Sequence, residues 1–205
     1  MIPALEALER LREGNRRFVA EQREDEAASR SRRREVAAAQ EPFAIILGCS
    51  DSRVPAEIVF DQGLGDLFVI RVAGNIVAPS QIGSVEFATE RFSTQLVVVL
   101  GHSQCGAILA TIEELRRPTT ARSRNLRSIV SRIRPAVSKL VAAKPPMRHD
   151  TLVREAVRAN IRVSTVHLRH GSPMLEQAIQ ENGLMVVGAE YSLETGVVDF
   201  FDVPG

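Results

Sequence analysis

The stretch FAIILGCSDSRVPAE, Phe43 to Glu57, contains the pattern on which most of the chain is built. Its first five residues form a short apolar run typical of a buried β-strand, and the polar turn after the run leads into a helical segment near 55–60. Two more apolar runs follow at 66–72 and 95–100, with a helical stretch at 80–92 between them. This alternation predicts an α/β fold in which helices flank a mostly parallel central sheet.

The residues before this stretch predict a helical arm. Apolar side chains recur at near-helical spacing between Pro3 and Val19, namely Leu5, Leu8, Leu11 and Phe18. A charged segment follows at 23–40, in which basic and acidic residues nearly balance: Arg30, Arg32, Arg33 and Arg34 against Glu24, Asp25 and Glu26. We interpret this segment as a solvated helix face rather than a phosphate-binding patch.

The residues after the third apolar run predict four helices and two further strands. The second of these helical stretches contains Pro135, so we expect it to be interrupted or kinked there. The third helix is predicted to be capped by Asp150 or Thr151 and to end at Gly171. Ser172 is the predicted cap of the last, short helix. The runs LMVVGA and GVVDFF predict a fourth strand and an edge strand.

The length and composition indicate one domain. A chain of 205 residues that is 44% hydrophobic can bury a sizeable core. We therefore expect a single domain over 1–205, with the helical arm at 1–40 and an α/β core at 41–205. Aromatic residues make up 4% and Trp is absent, so the core consists mainly of Val, Ile, Leu and Ala, which suits a parallel sheet covered by helices.

The net charge and the apolar runs limit the partners and the cellular location that we expect. A formal charge of +1 provides no field that attracts nucleic acid or an anionic membrane, so we expect neither as a partner. The start of the chain, MIPALEALERLREGNRRF, carries charges every few positions and lacks the apolar segment of a secretory signal. The longest apolar runs, such as LVVVL at 96–100, are too short to span a bilayer. We therefore expect a cytoplasmic protein, in which thiols stay reduced.

Both cysteines of the chain lie where a predicted strand ends. Cys49 follows the first strand, and His102 and Cys105 follow the third. The carboxyl ends of strands form the ligand-binding edge of an open α/β sheet, so we expect these three side chains to converge. Two thiolates and an imidazole suit Zn²⁺ and leave a fourth tetrahedral position open, as in catalytic zinc sites. The alternatives are a disulfide, which the expected compartment disfavours, and ordinary buried side chains, which the joint placement disfavours.

Asp51 and Arg53 lie close to this predicted metal site. Two thiolates cancel the charge of Zn²⁺, so water on this metal is acidified less than on a zinc held by three neutral imidazoles. An Asp two residues from a ligand can orient such a water, and an adjacent Arg can hold the carboxylate ionised. The alternative, an ordinary loop salt bridge, loses weight if the metal is present.

Four motifs, CSDSRVPAE, DQGLGDLFVIRVAGN, GSVEFA and GHSQCGA, resemble those of the β-class carbonic anhydrases. The similarity is dense from about Gln40 to Ala107 and looser at VVGAEYSLETG. It implies a zinc-dependent carbonate dehydratase that catalyses the reversible hydration of CO2 to bicarbonate and a proton. The resemblance further implies one Zn²⁺ per chain bound by Cys49, His102 and Cys105, with Asp51 and Arg53 as the dyad beside it.

The resemblance also implies an oligomer and a substrate pocket. Members form an obligate dimer, often doubled to a tetramer, whose amino-terminal arms embrace the neighbouring subunit. Gln40 matches a glutamine that reaches substrate in the neighbouring subunit's pocket, and Gly106 matches a glycine whose backbone adjoins the zinc. Phe68 and Phe87 match positions that line the CO2 pocket. Val72 stands where many members have Asn, a difference to which the sequence assigns no functional consequence.

Some members of the family have a bicarbonate-inhibited form, in which the dyad Asp becomes a fourth zinc ligand. A bicarbonate held by Trp, Arg and Tyr aids that change. Arg71 and Tyr191 match the Arg and the Tyr, but Ile46 stands in place of the Trp. We therefore expect weak or absent inhibition by bicarbonate, while Asp51 retains the ability to bind zinc in a closed state.

Parts of the sequence are compatible with three other functions. Turnover of CS2 or COS, linear analogues of CO2, is known on the same fold, and a substrate panel distinguishes it. A non-catalytic zinc module is disfavoured because the chain has all three predicted ligands and also has both Asp51 and Arg53. The segment GLGDLF suggests nucleotide binding, but no G-x-G-x-x-G opens a helix after a strand.

Overall fold

The computed structural model describes residues 2–22, 29–118 and 123–203. Its strands are β1 (Ala44–Gly48), β2 (Leu67–Arg71), β3 (Leu96–His102), β4 (Met185–Tyr191) and β5 (Val198–Asp202). They form one sheet in the spatial order β2-β1-β3-β4-β5. The first four strands are parallel, and β5 pairs antiparallel with β4 at the edge. The predicted α/β class with a mostly parallel sheet is confirmed.

Helices lie on both faces of this sheet. In the described residues they are α1 (Ala4–Val19), α2 (Arg30–Glu35), α3 (Ala56–Val59), α4 (Pro79–Phe92), α5 (Gly106–Arg116), α6 (Arg124–Val141), α7 (His149–His170) and α8 (Pro173–Glu181). A short 3₁₀ turn, Ala73–Asn75, follows β2. Among the described residues, no helix combines the length and apolar character needed to cross a membrane.

The centre of the sheet is buried on both faces because β1 and residues 96–100 of β3 are continuous apolar runs. In β1, Ile45 and Leu47 belong to an apolar cluster that includes residues of α4 through α8. The alternate residues, Ala44 and Ile46, belong to a second cluster with residues of α1 and α3. Side chains alternate between faces along a strand, so a continuous apolar run is the pattern that a doubly covered parallel sheet requires.

Helix α1 packs on its own chain. Leu8 and Leu11 of the predicted apolar stripe are buried in the second cluster. A Cβ on Gly14 would lie 1.8 Å from the carbonyl oxygen of Phe60, so only glycine allows this close approach. Leu5 is 66% exposed, which leaves it available to another surface. Packing of the arm on a partner subunit stays a prediction, and the described chain itself covers most of the stripe.

One predicted helix feature is wrong in part and another is wrong. Helix α6 continues through Pro135, so the predicted interruption is wrong, while a kink there stays a prediction. Its buried face packs along α5 and α7, and this tertiary packing outweighs the cost of the proline. Helix α7 begins at His149 after Arg148, so neither Asp150 nor Thr151 is the N-cap. Asp150 instead lies in the first turn, where its charge complements the helix dipole.

Other local predictions agree with the structure. Ser172 caps α8, because its side-chain oxygen accepts a hydrogen bond from the Leu175 amide at 3.3 Å. Arg30, Arg33 and Arg34 of α2 are exposed, as expected of a solvated face. Arg32 differs, since its guanidinium lies 3.0 Å from a carboxylate oxygen of Asp66. The predicted balancing acids Glu24, Asp25 and Glu26 fall outside the described residues.

Candidate metal centre

The predicted ligands converge at the carboxyl edge of the sheet. β1 and β3 are hydrogen-bonded neighbours, so their ends deliver side chains to the same place. Cys49 directly follows β1, His102 is the last residue of β3, and Cys105 precedes α5. One potential ligand atom from each of the three residues lies within 4.8 Å of the others, and all three residues are buried.

The distances and the unpaired nitrogen fit a bound metal ion. The two Sγ atoms are 4.0 Å apart and both cysteines are free, whereas a disulfide places its sulfurs about 2.05 Å apart. Two sulfurs on a tetrahedral zinc at about 2.3 Å each lie about 3.8 Å from one another. The Nδ1 atom of His102 lies 2.8 Å from the carbonyl oxygen of Ser103, while buried Nε2 has no hydrogen-bond partner among the described residues. An unpaired buried imidazole nitrogen beside two thiols suits a metal.

The two thiols share their protonation when no metal is bound. The hydrogen bond from the Cys105 thiol, aided by His102 and by the amides of Gly74 and Asp51, lowers the pKa of Cys49 well below its ordinary value. The same bond and burial raise the pKa of Cys105 above its ordinary value. The surroundings thus favour the thiolate at Cys49 and the thiol at Cys105, and a metal that binds both sulfurs must displace a proton.

Asp51 is oriented by Arg53. The Nε and Nη2 atoms of Arg53 donate to the two carboxylate oxygens at 2.9 and 2.8 Å, and the Arg53 backbone amide donates to Oδ1 at 3.0 Å. The guanidinium hydrogen bonds, followed by that of the amide, hold the pKa of Asp51 well below its usual range. The Oδ2 atom lies 3.8 Å from Nε2 of His102, so an ionised carboxylate faces the candidate ligand atoms.

Two residues form hydrogen bonds to the loop that contains Cys49 and Asp51, which the sequence patterns did not indicate. The guanidinium of Arg71 donates to the carbonyl oxygens of Cys49 and Asp51 at 3.1 and 2.6 Å, and so ties β2 to this loop. The backbone amide of Gly74 donates to Sγ of Cys49 at 3.3 Å. Gly74 has φ +73°, and its place in RVAGN is the one signal that could have indicated a special backbone position.

The residues matched to a bicarbonate effector site are otherwise engaged. Ile46 is fully buried in the middle of β1. Tyr191 is buried in the same apolar cluster, with its ring 6.4 Å from that of Phe18. Val72, which was not matched to that site, forms backbone hydrogen bonds with Gly48 and Ser50, and its side chain packs against the other apolar cluster. This part of the sheet is thus packed mainly by apolar side chains.

The residues matched to the substrate pocket occupy two places. Gly106 begins α5 directly after Cys105, and the space above its Cα is open. Phe68 and Phe87 contact each other, with ring centroids 6.1 Å apart. Phe87 also lines a cleft of about 1030 Å³ together with Gln40. The lining of this cleft within the described residues does not include Cys49, so Gln40 is separate from the metal centre of its own chain.

Comparison with known proteins agrees with this geometry. A family model described as carbonic anhydrase matches residues 44–198. Carbonic anhydrase 2 of Mycobacterium tuberculosis is 38% identical over 188 residues, which cover 91% of this chain and 87% of the relative. The β-carbonic anhydrase CafA of Aspergillus fumigatus superposes with a TM-score of 0.74 at 25% identity, covering 84% of this chain and 81% of CafA.

A second solved structure has the same fold. It is one of two tetrameric β-carbonic anhydrases from Sordaria macrospora, with a TM-score of 0.69 and 24% identity over 82% of this chain and 84% of that one. The family match spans β1 to β4 and ends at the first residue of β5, and therefore includes the strand ends that carry both cysteines and the histidine. This chain belongs to the β-class carbonic anhydrase family and is an enzyme of the carbonate dehydratase type.

Proposed function

We propose that this protein is a zinc enzyme that catalyses the reversible hydration of CO2 to bicarbonate and a proton. The observation that carries the proposal is the convergence of two sulfurs and one unpaired imidazole nitrogen at the carboxyl edge of the sheet, beside an ionised carboxylate. Cys49, His102 and Cys105 would hold one Zn²⁺ per chain. The donor set of two thiolates and one imidazole suits this ion and leaves a position for water.

The proposed chemistry assigns distinct roles to the metal and to the dyad. A bound Zn²⁺ lowers the pKa of a water molecule and so supplies a nucleophile near neutral pH. The carboxylate of Asp51 accepts a hydrogen bond from that water and directs a lone pair toward the carbon of CO2. Arg53 keeps the carboxylate ionised and fixed, and Arg71 anchors the backbone of the loop. The closed state, with Asp51 as a ligand, is part of the proposal.

The proposed substrate pocket combines groups from two chains. Phe68 and Phe87 would supply an apolar wall for an uncharged linear substrate. The backbone of Gly106 would adjoin the bound substrate, because the space above it is open. Gln40 would hydrogen-bond to substrate oxygen in the partner's pocket, which accords with its separation from its own metal centre.

We propose a homodimer or a homotetramer, because Gln40 would act in the pocket of a partner chain. The Sordaria macrospora relatives are described as tetrameric, and exposed Leu5 on α1 and Phe87 beside the cleft suit contacts between subunits. In this proposal residues 1–205 form one domain, with residues 1–40 as the arm that contacts the neighbouring subunit.

Stopped-flow CO2 hydration, measured against pH with the zinc content of the same sample, tests the function. We expect zinc near one per chain and a rate that rises above neutral pH. Cys49→Ser is expected to lose both zinc and activity, while Ser52→Ala, an exposed change in the same loop, retains both. Full zinc occupancy without acceleration of CO2 hydration would overturn the assignment. Faster turnover of CS2 or COS than of CO2 would show that CO2 is not the preferred substrate.

A further inference from the structure

The 3₁₀ turn at 73–75 places a backbone donor on a predicted metal ligand. Its central residue, Gly74, has φ +73° and ψ +22°, and Asn75 also has positive φ. In this conformation the amide of Gly74 points at Sγ of Cys49, 3.3 Å away in a buried environment. The left-handed region is less favourable for Asn75 than for glycine, so other contacts must hold this residue in the turn.

Helix α7 supplies those contacts from a distant part of the chain. The side-chain amide of Asn160 donates to the carbonyl oxygen of Gly74 at 2.8 Å. The hydroxyl of Ser164 donates to the carbonyl oxygen of Asn75 at 3.0 Å. Asn160 is 1% and Ser164 is 4% exposed. Residues four apart lie on the same face of a helix, so α7 grips two successive peptide groups of the turn.

Apolar packing closes the turn from the opposite side. A Cβ placed on Gly74 would lie 2.9 Å from Cδ1 of Ile133 and 3.0 Å from Cβ of Ala107. Ile133 belongs to α6 and Ala107 to α5. The Cα of Gly74 therefore lies against two helices, and the two peptide groups that follow it are held by the polar face of a third. The direction of the Gly74 amide depends on these tertiary contacts at the next two peptide groups.

We propose that Asn160 and Ser164 are positioning residues that aim the Gly74 amide at the Cys49 sulfur, and thereby tune the metal which that sulfur binds. An N–H···S hydrogen bond withdraws electron density from a thiolate, and such outer contacts adjust metal affinity and Lewis acidity. The inference rests on the proposed metal site. The new claim is that helix α7, about 110 residues from Cys49 in sequence, supports that site.

Cobalt substitution tests this inference without an activity assay. Co²⁺ bound by cysteine gives a thiolate-to-metal charge-transfer band in the near ultraviolet. Loss of the hydrogen bond makes the sulfur a stronger donor, so Ser164→Ala and Asn160→Leu are expected to shift this band to longer wavelength. The dissociation constant for Co²⁺ is still expected to rise about tenfold in Asn160→Leu, and by less in Ser164→Ala, because loss of the fixed position of the Cys49 sulfur outweighs its greater donor strength.

Thr165→Val is the matched control. The Thr165 hydroxyl is equally buried on the same helix, but it donates to the carbonyl oxygen of Ile161 within α7. This variant loses a buried hydrogen bond and is expected to keep the wild-type band and affinity. If Asn160→Leu fails to fold, Ser164→Ala carries the test, because alanine removes only one hydroxyl and favours helix.

Each outcome addresses one claim. If folded Ser164→Ala has the same cobalt band and affinity as Thr165→Val, the positioning role is wrong. If Thr165→Val shifts the band as much as Ser164→Ala, the effect is one of general stability, and the inference also fails. A wild-type protein without any cobalt–thiolate band would instead contradict the proposed metal site itself.

Discussion

Asp51 and Arg53 form a two-point ion pair, in which both carboxylate oxygens accept hydrogen bonds from one guanidinium at 2.9 and 2.8 Å. Such a pair fixes the orientation of the carboxylate as well as its charge. The orientation matters here because Oδ2 lies 3.8 Å from the unpaired nitrogen of His102. The dyad thus faces the metal centre as a charged, oriented hydrogen-bond acceptor.

Asp51→Asn is expected to lower the rate of CO2 hydration by about a hundredfold or more, because the amide retains the shape but loses the charge. Zinc content is expected to stay near that of the wild type, since Asp51 is not one of the three proposed ligands. Stopped-flow rates and metal analysis on the same preparation measure both quantities. Equal rates in the variant and the wild type would show that the dyad does not act on water.

Gly74→Ala is expected to destabilise the protein by about 1–3 kcal/mol, because an added Cβ meets Ile133 and the residue has positive φ. Metal affinity is expected to fall with the shift of the turn. Gly83→Ala is the control, since a Cβ there meets nothing within 4 Å inside α4. That change is expected to stabilise the protein by about 0.5–1 kcal/mol. Urea unfolding distinguishes the two, and a neutral Gly74→Ala would refute the packing argument.

Glu190→Gln is expected to stabilise the protein at pH 7. Burial raises the pKa of Glu190 despite the Arg158 guanidinium 3.3 Å away, so ionisation costs more in the folded than in the unfolded state. A raised acid pKa contributes stability below the unfolded pKa of about 4.3, and this contribution is lost as the pH rises through the folded pKa. The gain is therefore expected at pH 7 and not at pH 4.

Urea unfolding at the two pH values measures this difference. Asp199→Asn serves as the control, because Asp199 is a more exposed partner of the same Arg158. It is expected to change stability little. A loss of stability in Glu190→Gln at pH 7 would mean that the ion pair with Arg158 outweighs burial.

Mixed oligomers of Gln40→Ala and Cys49→Ser are expected to recover activity that neither variant has alone. If Gln40 acts in the partner's pocket, a mixed dimer contains one site with intact ligands and an intact glutamine. Random pairing of equal amounts then gives about a quarter of wild-type activity. Co-expression with two affinity tags isolates the mixed species. No recovery in that species would place Gln40 outside the partner's site.

Bicarbonate is expected to inhibit weakly and without strong cooperativity. The predicted effector site lacks its Trp, and Arg71 already donates to the carbonyl oxygens of Cys49 and Asp51. A bicarbonate titration of the hydration rate at fixed ionic strength measures this. Steep sigmoidal inhibition would contradict the prediction and indicate an effector site that does not need the Trp.

The fold class and the convergence of Cys49, His102 and Cys105 were predictable because both depend on patterns along the chain. Continuous apolar runs such as 44–48 and 96–100 suit only strands covered on both faces, and parallel strands end at one edge. Cys49 follows the first of these runs directly and His102 follows the second after one glycine, so their meeting is a consequence of strand order. Helix details were less predictable, since packing of α6 on its neighbours decides whether Pro135 interrupts it.

The sequence by itself determined which residue types stand at the strand ends, and hence which residues are proposed as the ligands and the dyad. Only the tertiary structure decided what surrounds them. Gly74 reaches the Cys49 sulfur, and Asn160 reaches Gly74, across 25 and 86 positions of sequence. Such hydrogen bonds leave no periodic pattern in the chain, because they depend on how α7 packs against the sheet. They exist only once the helices and the sheet have come together.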